Sequence, residues 1–175
     1  DTTPVREPYG HDAFADMAFR TWAEAGVTPA VTRAPDSYTG AAYIFTRSGT
    51  SWVMQQQLVA SDGAANEGFG GSCAVAGDTV VVGAAGEDRT PSTNQGAAYV
   101  FVRSGALWSQ QRKLVANDAA ANDIFGVVAI EGDTAVVGAI NEDHPSPKRL
   151  QQGSAYVFAR SAGSWTRQAR LVASD

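Results

Sequence analysis

Three stretches of this chain repeat nearly the same sequence, and this repeat limits the possible folds more than any other feature. Each stretch opens with glycine and ends in Ala-Tyr-Ile-Phe or Ala-Tyr-Val-Phe, at residues 40–45, 96–101 and 153–158. The glycines lie 56 and 57 residues apart, and a tryptophan follows each of them at the same offset. Self-similarity at a fixed period indicates a repeat architecture, and repeat proteins usually bind partners across an extended surface.

The best-preserved unit, residues 69–114, predicts four short strands. Its second strand is apolar on both faces, as a strand buried on both sides should be, and its fourth strand alternates and is polar, which suits a sheet edge. The predicted strands are residues 72–75, 79–84, 97–103 and 108–114, joined by a Gly77-Asp78 turn, a polar loop and a Ser104-Gly105 turn. Residues 125–171 repeat this order, whereas residues 40–58 supply only the two outer strands of an earlier unit.

Tandem four-stranded units predict an all-β fold. We expect a partial β-propeller of about two and a half four-stranded antiparallel blades, with a short N-terminal helical segment. A β-sandwich is the alternative, although sandwiches seldom repeat their sequence so closely. The predicted parts are an N-terminal helix-containing segment at 1–39 and a repeat domain at 40–175, which is divided into a half-blade at 40–60 and blades at 69–116 and 125–173.

One spacing differs between the two complete units. Phe69 precedes Gly77 by eight positions, whereas Phe125 precedes Gly132 by only seven. A slip of one residue reverses which side chains face the core, so one of the two units must contain a bulge or a shifted turn.

Short motifs occur in the same order in both complete units. A Phe-Gly pair, a Gly-Asp turn, a strand ending in Gly-Ala, a Gly-x-Ala-Tyr-Val-Phe strand and a Trp-x-x-Gln strand follow one another. This order resembles the FG-GAP repeats of integrin α-subunit propellers, and most of all the bacterial secreted versions. The motif pairs are Phe69-Gly70 with Gly83-Ala84, and Phe125-Gly126 with Gly138-Ala139. The resemblance implies propeller blades that present loops to a protein or glycan on or outside a bacterial cell.

A calcium site is not carried over from this resemblance. Integrin blades often hold an Asp-x-Asp-x-Asp-Gly loop between their first two strands, whereas this chain has only the short turns 76–79 and 131–134. Calcium takes about six or more oxygen ligands on a roomy loop. We therefore expect neither a metal nor another cofactor.

Composition and motif content exclude several functions. A net charge of −5 argues against nucleic-acid binding, which needs a basic face, and no apolar run is long enough for membrane insertion. Cys73 is the only cysteine, so a disulfide framework is excluded and Cys73 is expected to be a small buried apolar residue. Because neither His11 nor His144 lies in a nucleophile motif and no phosphate loop or zinc spacing occurs, no enzyme activity is predicted.

The loops that differ between the units are the predicted partner-binding sites. Residues 87–95 and 142–152 are both polar, and the second loop is two residues longer. Variable loops on one face of a repeat scaffold are where recognition tends to occur. The candidate residues are Asp88, Arg89, Asn94, Asp143, His144, Lys148 and Arg149.

The roles of other recurring polar and aromatic residues each have two interpretations. Asp62 and Asp118, with Asn66 and Asn122, are expected to form turn hydrogen bonds, and a weak cation contact is the alternative. The recurring aromatic residues are expected to pack between blades, and carbohydrate stacking is the alternative. They are Tyr43, Tyr99, Tyr156, Trp52, Trp108 and Trp165.

The ends of the repeat domain leave its blades open. Propellers close with roughly four to eight blades, and a partial one would expose apolar faces. The chain is therefore predicted to be part of a larger propeller or to self-associate. An amphipathic helix predicted at 12–25 would cover one open face, and residues 28–33 are a candidate for a missing inner strand.

These observations predict a non-enzymatic interaction module, extracellular or on the cell surface, whose partner is a protein or glycan. A carbohydrate-active enzyme on a propeller scaffold is the first alternative. A purely structural, self-assembling repeat is the second.

Overall fold

The computed structural model describes residues 27–31, 39–89, 93–145, 148–149 and 151–173, with backbone alone at 27–31, 144–145 and 148–149. The helix predicted at 12–25 lies outside the described residues. In the described part, all regular secondary structure is β-strand. The strands are β1 (Val27–Val31), β2 (Ala42–Ser48), β3 (Ser51–Leu58), β4 (Phe69–Ala76), β5 (Thr79–Ala84), β6 (Ala97–Ser104), β7 (Leu107–Leu114), β8 (Phe125–Glu131), β9 (Thr134–Ala139), β10 (His144–Pro145), β11 (Lys148–Arg149), β12 (Ser154–Ser161) and β13 (Ser164–Leu171).

The strands form three successive antiparallel sheets and one small hairpin, β10–β11. Blade 1 has the order β1-β2-β3, blade 2 the order β4-β5-β6-β7, and blade 3 the order β8-β9-β12-β13. Within each sheet, strands that follow one another in the chain pair directly, apart from the hairpin inserted in blade 3. The all-β partial propeller predicted from the repeat is confirmed.

Blade 1 gains its third strand from the N-terminal segment. Strand β1 pairs with β2 from Val27 opposite Thr46 to Val31 opposite Ala42. Strand β1 lies beside β2 in the same way that β5 lies beside β6 in blade 2. Residues 28–33 are one candidate for a missing inner strand, beside another chain or an absent part of the protein, and the structure places that strand at Val27–Val31.

The expected bulge lies at the start of blade 2. Between Phe69 and Ser72 the pairing of β4 with β5 advances three residues on β4 for one on β5. At the matching place in blade 3, Phe125 to Val127, the advance is two for one. The bulge between Phe69 and Ser72 accommodates the extra residue of blade 2. Both units therefore reach their Gly-Asp turns in the same register.

The core lies between blades rather than inside them. Each blade has a front face, which carries its Tyr, Phe and Trp side chains, and a back face, which carries small and aliphatic ones. The front of blade 2 packs on the back of blade 1, in a cluster that includes Tyr99, Phe101, Trp108, Ile44 and Leu58. The front of blade 3 packs on the back of blade 2 in the same way, in a cluster that includes Tyr156, Phe158, Trp165, Val100 and Leu114.

The Phe of each Phe-Gly pair belongs to these joints. Phe69 meets Tyr99 edge-on with ring centroids 5.4 Å apart, and Phe125 meets Tyr156 at the same distance. Edge-to-face contacts of this kind add stabilisation beyond the buried area. The glycine of the Gly-Ala pair allows close approach: a methyl group on Gly83 of blade 2 would lie 1.8 Å from the carbonyl oxygen of Gly126. At the joint between blades 2 and 3, the motif residues thus both fill the core and leave room for the neighbouring backbone.

Candidate binding face

All the loops predicted to differ between units lie at one end of the blades. In an antiparallel blade, the connection between second and third strands and the connection to the next blade leave from the same end. Residues 85–96 and 140–153 are connections of the first kind, and residues 59–68 and 115–124 are of the second. These four segments form what we term the loop face.

Backbone hydrogen bonds join the loops of neighbouring blades. The amide of Asn122 donates to the Thr93 carbonyl over 2.9 Å, and the amide of Phe125 donates to that of Gln95 over 3.0 Å. The Asn94 side chain donates to Asn122 Oδ1 over 3.1 Å. The loop face is therefore a continuous surface across blades 2 and 3.

Asp88 and Asp143 hold equivalent places and close their loops in the same way. Asp88 Oδ1 accepts a hydrogen bond of 2.6 Å from the backbone amide of Asn94. Asp143 Oδ1 accepts one of 2.7 Å from the amide of Gln151. Both carboxylates are otherwise exposed, so each fixes the base of its loop while it remains accessible to a partner.

The remaining candidate residues fall in two environments. Arg89 donates to the carbonyl oxygen of Ala116 over 3.3 and 3.4 Å and lies 3.6 Å from a Glu87 carboxylate oxygen, so it bridges two loops. In the backbone register of the β10–β11 hairpin, His144 pairs with Arg149 and Pro145 with Lys148. The structure thus places three basic candidates, counting Lys148, on one hairpin of the loop face.

A buried carboxylate beneath the loops of blade 2 was missed by sequence reasoning. Glu87 is nearly fully buried, and its Oε1 lies 2.5 Å from Lys113 Nζ, which also contacts Asp62 over 2.7 Å. Burial favours the neutral amine, but the two carboxylates outweigh it and raise the pKa of Lys113. Burial likewise favours the neutral form of Asp62, yet its hydrogen bond from Lys113 holds its pKa below the usual range.

Blade 3 repeats this arrangement with arginine. Glu142 is buried, and its Oε1 lies 2.5 Å from Arg170. The Tyr156 hydroxyl donates to the same carboxylate over 2.9 Å. Asp118 accepts from Arg167 over 2.8 Å, and although burial opposes its ionisation, hydrogen bonds and Arg167 lower its pKa. Equivalent Glu and basic residues recur one repeat apart, which is the signal that identifies this network.

A second pair of buried carboxylates shapes the connections between blades. Glu67 accepts from the amide of Ala64 over 2.7 Å, and the equivalent Asp123 accepts from that of Ala120 over 2.5 Å. Burial, with the nearby negative Glu142, raises the pKa of Asp123. These contacts are structural.

The two asparagines of the connecting loops lie at turn positions. Asn66 and Asn122 have left-handed backbones, with φ of 70° and 66°, a conformation that asparagine tolerates better than most residues. Asp62 and Asp118 each accept a hydrogen bond from their own backbone amide, as expected for turn residues. Their carboxylates also form ion pairs with Lys113 and Arg167 of the outer strands, which the sequence did not predict.

At the opposite end of the blades, an arginine side chain binds the aspartate of each Gly-Asp turn. Asp78 accepts from Arg103 Nε, and Asp133 accepts from Arg160 Nε, each over 2.6 Å. Among the described residues, no group of three or more His, Cys, Asp or Glu side chains could hold a metal ion. In the same part of the chain, no helix is long and apolar enough to cross a membrane.

The family follows from the repeat itself. The family model for the FG-GAP repeat matches residues 52–101 and 108–158, which together are more than half of the chain. This chain belongs to the FG-GAP repeat family. No curated protein matches it significantly.

Each matched FG-GAP segment is out of phase with the blades. The first begins in the outer strand of blade 1, β3, and ends in the third strand of blade 2, and the second is shifted by one blade. One sequence repeat therefore contains both sides of an inter-blade joint. The family assignment indicates a β-propeller interaction module.

Proposed function

We propose that this FG-GAP chain is a non-enzymatic binding module, extracellular or on the surface of a bacterial cell, whose loop face contacts a protein or glycan. One observation carries the proposal. The same hydrogen bond from a backbone amide to an aspartate closes two loops of different length: Asn94 donates to Asp88, and Gln151 donates to Asp143. The scaffold thereby keeps the base of each loop constant while the sequence between varies, which is how repeat proteins vary recognition.

A protein partner is favoured over a glycan by the burial of the aromatic residues. Tyr99, Tyr156, Trp108 and Trp165 are all buried in the joints between blades, so none of these four offers a stacking surface for a sugar ring. Trp52 is exposed, but it pairs with Arg47 beside the turn at 49–50, at the end of blade 1 opposite the loop face. The exposed candidates Asp88 and Asp143 instead offer charge and hydrogen-bond acceptors to a complementary polar surface.

The non-enzymatic part of the proposal is supported by how the carboxylates are used. A general acid and base need carboxyl groups that reach a substrate. Glu87 and Glu142 are buried and bound to Lys113 and Arg170, respectively. Their role in the structure is to hold the loop face together.

The test replaces the variable part of each loop. In one variant, residues 89–93 become a Gly-Ser linker, and in a second, residues 144–150 do. Native chain and variants are immobilised and probed with a panel of purified extracellular proteins and with a glycan array. We expect the native chain to bind a member of the protein panel and at least one loop variant to lose about tenfold or more in affinity.

Leu107→Ser is the matched control. Leu107 is strongly exposed at the opposite end of blade 2, so this variant should bind as the native chain does. Equal binding by both loop variants would contradict the use of the loop face. Hydrolysis of an array glycan would instead support the enzyme alternative.

A further inference from the structure

The joint between blades is built twice with the same pairs of residues. Trp108 of blade 2 donates its indole N–H to Gln55 of blade 1 over 3.1 Å. Trp165 of blade 3 donates to Gln111 of blade 2 over 2.9 Å. Each glutamine is the last residue of a Trp-x-x-Gln motif, so the motif places a donor on the front face and its acceptor on the back face of every blade.

Leucine at the end of the same strand completes the back face. Leu58 of blade 1 and Leu114 of blade 2 are 1% and 2% exposed, because the next blade covers them. The tryptophans of the two covered fronts, Trp108 and Trp165, are 4% and 5% exposed. A complete joint thus hides both partners almost fully.

Each end of the stack carries one half of this joint. Trp52, on the front of blade 1, is 45% exposed, and Leu171, on the back of blade 3, is 55% exposed. Gln168, the acceptor position of blade 3, is exposed and donates to Thr166 in its own strand. Val157 is only half-buried there, whereas its equivalent Val100 is fully buried.

We propose that a second copy of this chain docks head to tail, with the Trp52 front of one copy on the back of blade 3 of the other. The contacts would be those of the two internal joints. Trp52 of one copy would donate its indole N–H to Gln168 of the other, and the front of blade 1 would cover Leu171. This inference concerns the ends of the stack and does not rest on ligand binding by the loop face.

The number of blades is compatible with a ring of two copies. The described residues of one copy form three blades, so two copies supply six, which is within the range of roughly four to eight in which propellers close. Front-to-back contacts are heterologous, and they give a finite assembly only when the rotation closes. A ring of two chains satisfies both ends at once.

Two variants separate this assembly from any other dimer. Trp52→Asp places a charge on the front of blade 1, and Leu171→Asp places one on the back of blade 3. Because both positions are exposed, the fold should be kept. We expect the native chain to have twice the single-chain mass by light scattering, and each variant alone to be monomeric. An equimolar mixture should form a dimer again, because the intact back of one variant meets the intact front of the other.

The mixed dimer has one joint instead of two, so its dissociation constant should be at least about a hundredfold weaker than that of the native ring. Leu107→Asp is the control, since Leu107 stays exposed although blade 3 covers the back of its blade. It should have the native mass. Circular dichroism of each variant checks the fold.

Several results would overturn the proposal. A native chain that stays monomeric from micromolar to near-millimolar concentration would show that nothing docks on these faces in trans. A Leu171→Asp chain that still dimerises by itself would show a front-to-front contact. A mixture of the two variants that stays monomeric would show that the joint is not front to back.

Discussion

At the scale of single residues, the blades depend on buried carboxylates that pair with partly exposed cations. Glu142 and Glu87 occupy equivalent positions, and their partners Arg170 and Lys113 do too. A buried charge that loses its partner is costly because it can neither be solvated nor be neutralised easily. Because lysine holds this place in blade 2 and arginine holds it in blade 3, we expect the site to need positive charge and not the bidentate geometry of arginine.

Replacement of Arg170 tests this requirement. Arg170→Met should lower the free energy of unfolding by about 3 kcal/mol at neutral pH, whereas Arg170→Lys should lower it by less than about 1 kcal/mol. Urea denaturation of the two variants and the native chain measures the difference. Equal losses for Met and Lys would show that side-chain length, and not charge, is what the site needs.

The same network predicts that the free energy of unfolding depends on pH. The pKa of Asp118 is lowered in the folded chain, so its contribution is present above the pKa of an unfolded aspartate, about 3.9. That contribution is lost as the pH falls through the lower folded value. Because Arg170 also faces Asp118 over 3.6 Å, the gap between native and Arg170→Met stabilities should narrow in urea titrations repeated near pH 3.

At the scale of strands, the spacing of blades 2 and 3 depends on a glycine in the second strand of blade 2. Gly83 faces blade 3, and a methyl group there would lie 1.8 Å from Gly126 O. Gly138 is the equivalent residue of blade 3, where a methyl group would lie 3.6 Å from the nearest atom, in Val127. Neither glycine has a positive φ, so only the neighbouring blade distinguishes them.

Alanine at these two positions should therefore lower the free energy of unfolding by very different amounts. Gly83→Ala is expected to cost about 3 kcal/mol or more, because backbone must move to admit the methyl group. Gly138→Ala should stay within about 0.5 kcal/mol of its parent. Both are measured by urea denaturation in the Trp52→Asp background, which removes self-association. A large loss from Gly138→Ala would mean that strand conformation, rather than the adjacent blade, requires glycine.

The strands themselves were predictable, because their alternation and turns are local. The blade 2 strand predicted at 79–84 matches Thr79–Ala84, and the unequal spacing before Gly77 and Gly132 indicated a bulge that the structure places at Gly70-Gly71. The ion pairs were not predictable in this way. Lys113 meets Asp62 from 51 positions away, and only the stacking of one blade on the next brings the two together.

At the scale of the whole molecule, stability is expected to be uneven along the stack. In a repeat protein each unit is stabilised by its neighbours, so terminal units with an uncovered face are weaker. Blade 2 has neighbours on both sides, and every residue of its second strand, Thr79–Ala84, is buried. In blade 3 the equivalent strand, Thr134–Ala139, alternates between buried and more exposed residues.

Hydrogen exchange compares these two strands within one molecule. Both pair with strands on either side, so any difference in protection reflects the covering of their faces. In dilute solution, amides of Thr134–Ala139 should exchange at least about tenfold faster than those of Thr79–Ala84. As the native chain is concentrated and blade 3 becomes covered by a second copy, the two rates should converge. In Leu171→Asp they should stay apart at every concentration. If the strand of blade 3 is as slow as that of blade 2 in dilute Leu171→Asp, then its back face is not a weak end, and unequal stability along the stack is disproved.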